Sequence, residues 1–166
     1  RTAPTGGSSL YNASAVIKTR SPAPDNVILV TDGLPTQGDK PPLMRTLVTM
    51  EQREDLMQDA VRSLPPLDAV VISHDHYDHL DYRTIHALAE RDVPFVTSLG
   101  VGAHLEAWGV PAERIFELDW WESYALPKAD LTVTAAPSQH FSGRGLRGRN
   151  STLWSSMVLR SQRHSV

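Results

Sequence analysis

The sequence predicts a layered α/β fold. Helix-like and strand-like hydrophobic periods alternate through its middle, and its two ends are richer in strand patterns. In addition, one short apolar, β-branched stretch, Leu67-Asp68-Ala69-Val70-Val71-Ile72-Ser73, runs directly into a dense cluster of histidine and aspartate.

Taken in order, residues 10–17 (Leu10 to Ile17) read as a first strand. Val27-Ile28-Leu29-Val30-Thr31-Asp32-Gly33 reads as the next, ending in a turn. Between Gly33 and Arg45 the Pro and Gly content reads as a loop. Thr49 to Leu64 reads as a helix: Met50, Met57, Ala60, Val61 and Leu64 recur at roughly helical spacing, Thr49 stands at a capping position and Gln52 at the capping-box offset. Pro65-Pro66 stops it, and its Met stripe reads as core. After the buried strand at 67–73, Asp81 to Arg91 reads as a helix with Ile85, Leu88 and Ala89 inward. A strand at Val93–Thr97, a short helix at Gly102–Trp108 and a strand at Arg114–Leu118 follow, then strands at 130–136 and 152–160. There is no internal repeat and no low-complexity tract. The order is compatible with one half of an αββα sandwich.

Composition bounds the function classes. The length, 166 residues, suits a single domain over 1–166, and 40% apolar residues suffice for a core. Sixteen basic against nineteen acidic residues leave a net charge of -3, which argues against a nucleic-acid partner held by bulk charge. With no cysteine there is no disulfide and no thiolate ligand, so the redox compartment stays open. No stretch reaches transmembrane length. The expected location is cytoplasmic, with a periplasmic or membrane-peripheral one as the alternative.

The chemistry lies in His74-Asp75-His76-Tyr77-Asp78-His79, three imidazoles and two carboxylates at the end of a strand. Imidazole nitrogen and carboxylate oxygen suit zinc and similar divalent ions. His74 and His76 alternate with Asp75, so both rings can point one way. Asp78 and His79 follow a turn and can face a second ion. Downstream, Leu131-Thr132-Val133-Thr134-Ala135 is another apolar alternation, and it leads into Ala136-Pro137-Ser138-Gln139-His140-Phe141-Ser142-Gly143-Arg144. Taken alone, His140 reads as an ordinary loop histidine; with the first motif in place that reading reverses. Three protein nitrogens with a fourth position open make a catalytic rather than a structural arrangement. The basic group Arg144, Arg147 and Arg149 has two readings, a solvated loop or a contact to an anionic substrate.

The first run resembles the HxHxDH signature of the metallo-β-lactamase superfamily. The words around it narrow the resemblance. Ser73-His74-Asp75-His76-Tyr77-Asp78-His79-Leu80-Asp81, Gln139-His140-Phe141-Ser142-Gly143-Arg144 and Arg149-Asn150-Ser151-Thr152-Leu153-Trp154 resemble the branch containing N-acyl-phosphatidylethanolamine phospholipase D, over about residues 64–160. Gly148 departs from a common Asp, Ser155 and Met157 from the usual Gly and Trp, and Asn12 from a common His.

The resemblance implies an αββα sandwich and metal-assisted hydrolysis with one or two Zn²⁺ ions, in which a metal lowers the pKa of bound water to about 7. His74, His76 and His140 would bind the first ion. Asp78 and His79 would bind the second, with Asp78 as the catalytic group. It implies a phosphodiester, phospholipid-like substrate, with a lactone, ester or amide as the alternative, and peripheral membrane contact. Gln139 and Arg144 are candidate substrate contacts, and Asp75 and Asp81 candidate partners for the ligand imidazoles.

The family pattern adds a bridging Asp and a final His. Asp119 and Asp130 precede His140, the wrong order for the former. His164 stands in a polar tail without a strand ahead of it. The chain therefore reads as the N-terminal half of the fold, truncated at its C-terminus, or as a non-catalytic remnant. One sheet face would lack its cover and expose apolar surface, which points to a partner chain or a homo-oligomer.

Overall fold

Among the described residues, seven strands, two complete helices, a helical stretch at 59–63 and a 3₁₀ turn build two sheets under one helical layer. The computed structural model describes the backbone of residues 28–30, and residues 59–145 and 148–161. The strand expected at 10–17, the loop at 33–45, most of the helix expected at 49–64, and His164 lie outside the described residues.

A parallel sheet holds β1 (Ile28–Val30), β2 (Ala69–Ile72), β3 (Phe95–Ser98) and β4 (Ile115–Leu118), in that order. An antiparallel sheet holds β5 (Ser123–Ala125), β6 (Thr132–Ala136) and β7 (Ser156–Arg160). Helices α1 (Tyr82–Ala89) and α2 (Gly102–Ala107) connect β2 to β3 and β3 to β4, with a 3₁₀ turn at Ala112–Arg114. Residues 59–63 are helical.

Within the parallel sheet β2 is apolar throughout because both its faces are covered. Every residue of β2 is buried. Its alternate side chains serve two cores. Val70 and Ile72, with Phe95 beside them, pack on Leu80, Ile85, Leu88, Val101 and Leu105 from the helical layer. Ala69 and Val71, with Val96, pack on Leu118, Leu126, Val133 and Ala135 toward the second sheet. Each fully buried aliphatic side chain contributes about 1.5–3 kcal/mol. The layers are helix, parallel sheet and antiparallel sheet, three of the four in an αββα sandwich.

Local chemistry sets the boundaries. Asp81 caps α1, its Oδ2 accepting from the Thr84 amide and hydroxyl, both at 2.9 Å. The Arg91 guanidinium satisfies the carbonyls left at the end of the 59–63 helix, donating to Val61, Leu64 and Pro65 at 2.6, 2.9 and 2.8 Å. Inward residues of α1 are Thr84, Ile85, Ala87 and Leu88, while Ala89 is only partly buried.

Two expectations need correction. The strand expected over 152–160 begins only at Ser156. Residues 152–155 lie across the ends of β2 and β3 instead: Leu153 N donates to Leu99 O at 2.7 Å and Ser155 N to Ser73 O at 3.0 Å. The crossing is tight at Gly100, whose φ is +87° and where an added Cβ would lie 3.3 Å from Thr152 Cα. One sheet face was expected to lack its cover and expose apolar surface, and the outer face of the antiparallel sheet does not do so. By register it carries Ser123, Ala125, Thr132, Thr134, Ala136, Ser156, Val158 and Arg160, small or polar except for Val158.

Candidate metal centre

The C-terminal ends of parallel strands are where side chains and loops converge on ligands in open α/β sheets. β2 ends at Ile72, and the next residues leave the ladder. The Ser73 carbonyl accepts from Ser98 Oγ at 2.7 Å and from Ser155 N at 3.0 Å. His74 is thereby placed over the sheet end. After His76 the chain turns, with His79 N and Leu80 N both donating to His76 O at 2.9 and 2.7 Å. β6 delivers the other loop: it ends at Ala136, and Trp154 Nε1 donates to Ser138 O at 3.0 Å just before His140.

Three imidazoles meet there. His74 Nε2 lies 3.0 Å from His76 Nδ1 and 2.9 Å from His140 Nε2, and the last two nitrogens are 3.2 Å apart. Metal–nitrogen bonds of 2.0–2.1 Å in a tetrahedron require ligand nitrogens about 3.3–3.4 Å apart. The triangle fits one divalent ion after a few tenths of an ångström of expansion. It is the only group of three or more His, Cys, Asp or Glu in ligating reach among the described residues.

The tautomer suits this too. Ser73 Oγ lies 2.8 Å from His74 Nδ1. With Nδ1 protonated toward that hydroxyl, Nε2 offers its lone pair to the centre. Burial, followed by the neighbouring His79, His140 and His76, pushes the His74 pKa down to about 4, and Asp78 opposes this weakly. His74 is therefore neutral, the ligating form, at neutral pH.

The remaining expected residues fall in different places. His79 stacks at a tilt on His74, with ring centroids 4.2 Å apart, and its Nε2 lies 3.5 Å from Asp78 Oδ2. Asp78 is 77% exposed and, with His79, falls outside the three-nitrogen group. Gln139 is exposed and lines a cleft of about 430 Å³ with Ser73, His74, His140, Ser155 and Met157.

Arg144, a candidate substrate contact, is bonded to backbone carbonyls in this structure. Its Nη1 donates to Asp75 O at 2.7 Å and Leu80 O at 2.6 Å, and its guanidinium covers the Tyr77 ring at 4.1 Å. The long loop between β6 and β7 commits this cation to backbone carbonyls that no strand or helix satisfies. Arg147 lies outside the described residues. Asp81 is a helix cap rather than a partner to an imidazole.

The motif words around His140 are mostly scaffolding. Buried Ser142 donates to Thr152 O at 2.6 Å, and Asn150 N donates to Ser142 O at 3.0 Å. Gly143 has φ +140°, and an added Cβ there would lie 3.2 Å from Arg149 Cα.

A family model described as a beta-lactamase superfamily domain matches residues 30–166. The chain belongs to the metallo-β-lactamase superfamily. Within it, this member is 54% identical over 103 residues to an uncharacterized protein of Mycobacterium tuberculosis, a match covering 61% of this chain and 27% of that one. It is 30% identical over 106 residues to the mitochondrial N-acyl-phosphatidylethanolamine-hydrolyzing phospholipase D of Saccharomyces cerevisiae, covering 62% of this chain and 22% of the relative. It is 35% identical over 102 residues to N-acyl-phosphatidylethanolamine-hydrolyzing phospholipase D 1 of Caenorhabditis elegans, covering 57% and 29%. The match thus spans between a fifth and a third of each relative's length. Among solved structures, CmlA, a diiron beta-hydroxylase from Streptomyces venezuelae, is similar with a TM-score of 0.48 and 21% identity, over 63% of this chain and 20% of that one. No helix among the described residues is long and apolar enough to cross a membrane.

Proposed function

We propose that this superfamily member carries the zinc-binding half-site of a hydrolase acting on a phosphodiester of the phospholipid type. The observation that carries the reading is the triangle of His74 Nε2, His76 Nδ1 and His140 Nε2, with sides of 2.9–3.2 Å. The phosphodiester class is supported by the two relatives whose names state that they hydrolyse a phospholipid.

A zinc ion bound there would lower the pKa of a water to about 7 and polarise a phosphoryl oxygen. The chain's own residues do the rest. Three imidazoles hold the ion, and Ser73 fixes the tautomer of the first. Asp78, exposed beside His79, would orient the metal-activated water. Asp78 and His79 also form part of a second metal position. Gln139 offers an amide donor to a phosphoryl oxygen in the cleft.

One observation favours a second reading, a chain that binds one ion without turning over. Among the described residues, Asp78 and His79 have no third ligand within reach. Zinc titration together with hydrolysis of a chromogenic phosphodiester separates the two. Turnover of roughly 1–10³ per second establishes the hydrolase. One bound ion without turnover establishes the second reading, and a chain that binds no zinc overturns both.

A further inference from the structure

Asp75 sits between the two histidines of the motif yet faces away from the metal centre. Its side chain is 2% exposed. Its Oδ1 accepts from Gly143 N at 2.7 Å, across 68 residues of chain. Its carbonyl accepts from Arg144 Nη1 at 2.7 Å, and Tyr77 returns the contact by donating from its hydroxyl to Arg144 O at 2.6 Å. His104 Nε2 on α2 lies 3.9 Å from Oδ2. Three hydrogen bonds thus join residues 75–77 to residues 143–144. These segments flank the ligands His74 and His76 on one side and His140 on the other.

We propose that Asp75 is a positioning residue for the metal centre, its carboxylate latching the loop after β6 so that His140 is held at ligating distance from His74 and His76. The inference rests on the triad reading above and deepens it. Its logic is geometric. His74 and His76 are anchored to β2, whereas His140 is more exposed and reaches them from the other sheet. The Gly143 amide is the backbone donor nearest His140 in sequence that is tied to the first motif. Gly143 also has φ +140°, a conformation few other residues adopt, and it keeps that amide aimed at Asp75. A carboxylate taking a buried amide is a charge-assisted bond, stronger than a neutral one.

The test uses the whole 166-residue chain and the metal alone. Zinc affinity is measured by competition with a chromogenic chelator for wild type, Asp75→Ala, Asp75→Asn, His140→Ala and the Asp75→Ala/His140→Ala double variant. Amide exchange of Gly143 is followed in metal-free protein. Asp75→Ala should weaken zinc binding by about 10–100-fold, the range for residues that orient a ligand from behind, and should speed Gly143 exchange. Asp75→Asn keeps an oxygen acceptor and should restore both. In the His140→Ala background Asp75→Ala should cost nothing further, because it acts through His140.

Equal losses in both backgrounds, or unchanged Gly143 exchange in Asp75→Ala, overturn the proposal. If Asp75→Ala fails to fold by circular dichroism, Asp75→Asn decides. Retained affinity supports the latch, and a tenfold loss sinks it. If wild type binds no zinc, the triad reading falls, while Gly143 exchange still decides whether Asp75 holds the loop.

Discussion

At the scale of single residues, the three ligating imidazoles are not equivalent. His74 is buried, His76 half-buried and His140 exposed, so the fold presents two anchored donors and one that closes over them. His76→Ala removes one of three donors and should abolish most zinc binding by isothermal titration. His164→Ala, in the polar tail, should leave it within about twofold; a tenfold loss there would place a fourth ligand in that tail. His74 also makes a pH prediction. Its folded pKa of about 4 lies below the ordinary 6.5, so the unfolded chain binds more protons between those values. The stability carried by the neutral ring is complete above pH 6.5, declines as pH falls toward 4, and levels off below. Urea midpoints of metal-free wild type minus those of His74→Asn should shrink across that window, and a flat difference would show the ring is not held neutral. His74 and His76 were legible in the sequence because a strand and its alternation dictate where they point, whereas His140 was legible only through the resemblance of its loop to a family pattern. The Asp75 and Arg144 partners were not, because each depends on a contact between segments nearly seventy residues apart.

At the scale of elements, α1 shows how much a single cap can decide. It is eight residues long, shorter than a helix stable alone in water, and both its packing face and its Asp81 cap are needed. Asp81→Ala should cost about 1 kcal/mol in chemical denaturation. It should leave zinc affinity unchanged, since Asp81 bonds Thr84 rather than an imidazole. An affinity loss would tie the cap to the metal centre after all. Strand β2 was readable because it is a continuous apolar run, and α1 because Ile85 and Leu88 recur at helical spacing. The strand β5, Ser123-Tyr124-Ala125, was not read: three residues carry no period, and its extended form comes from pairing with β6. Residues 152–155 resemble a strand locally, but their amides go to Leu99 and Ser73 rather than to a neighbouring ladder.

At the scale of the whole molecule, the metal centre ties the two sheets together. His74 and His76 follow the parallel sheet, His140 the antiparallel one, and an ion held by all three would count only in the folded state. Zinc at a hundred times its dissociation constant should add about 2.7 kcal/mol. For a chain of this size that is a rise of roughly 5–11 °C in Tm, reversed by a chelator. No shift with zinc bound would mean that the unfolded chain binds it as well. The outer face of the antiparallel sheet is less apolar than the expectation of an uncovered sheet face implies. Alternation in β6 and β7 was visible, but which set of residues faces inward is settled only by the second core, Val133, Ala135, Met157 and Leu159, leaving the threonines and serines outside.

That β2 is apolar at all four positions has one more consequence. Sliding it by one residue along β3 would still leave three apolar side chains in the four buried places, with Asp68 or Ser73 in the other, so hydrophobic patterning is a weak guard against the error. The slip would move the strand by about 3.3 Å, as large as any side of the imidazole triangle. Errors are detected instead by the polar end of the strand. There Thr97 Oγ1 must find Ile72 O, and Ser98 Oγ and Ser155 N must both find Ser73 O. A mispaired chain would forfeit those bonds before any ion arrived, so the same few atoms that aim His74 also proofread the threading of the sheet.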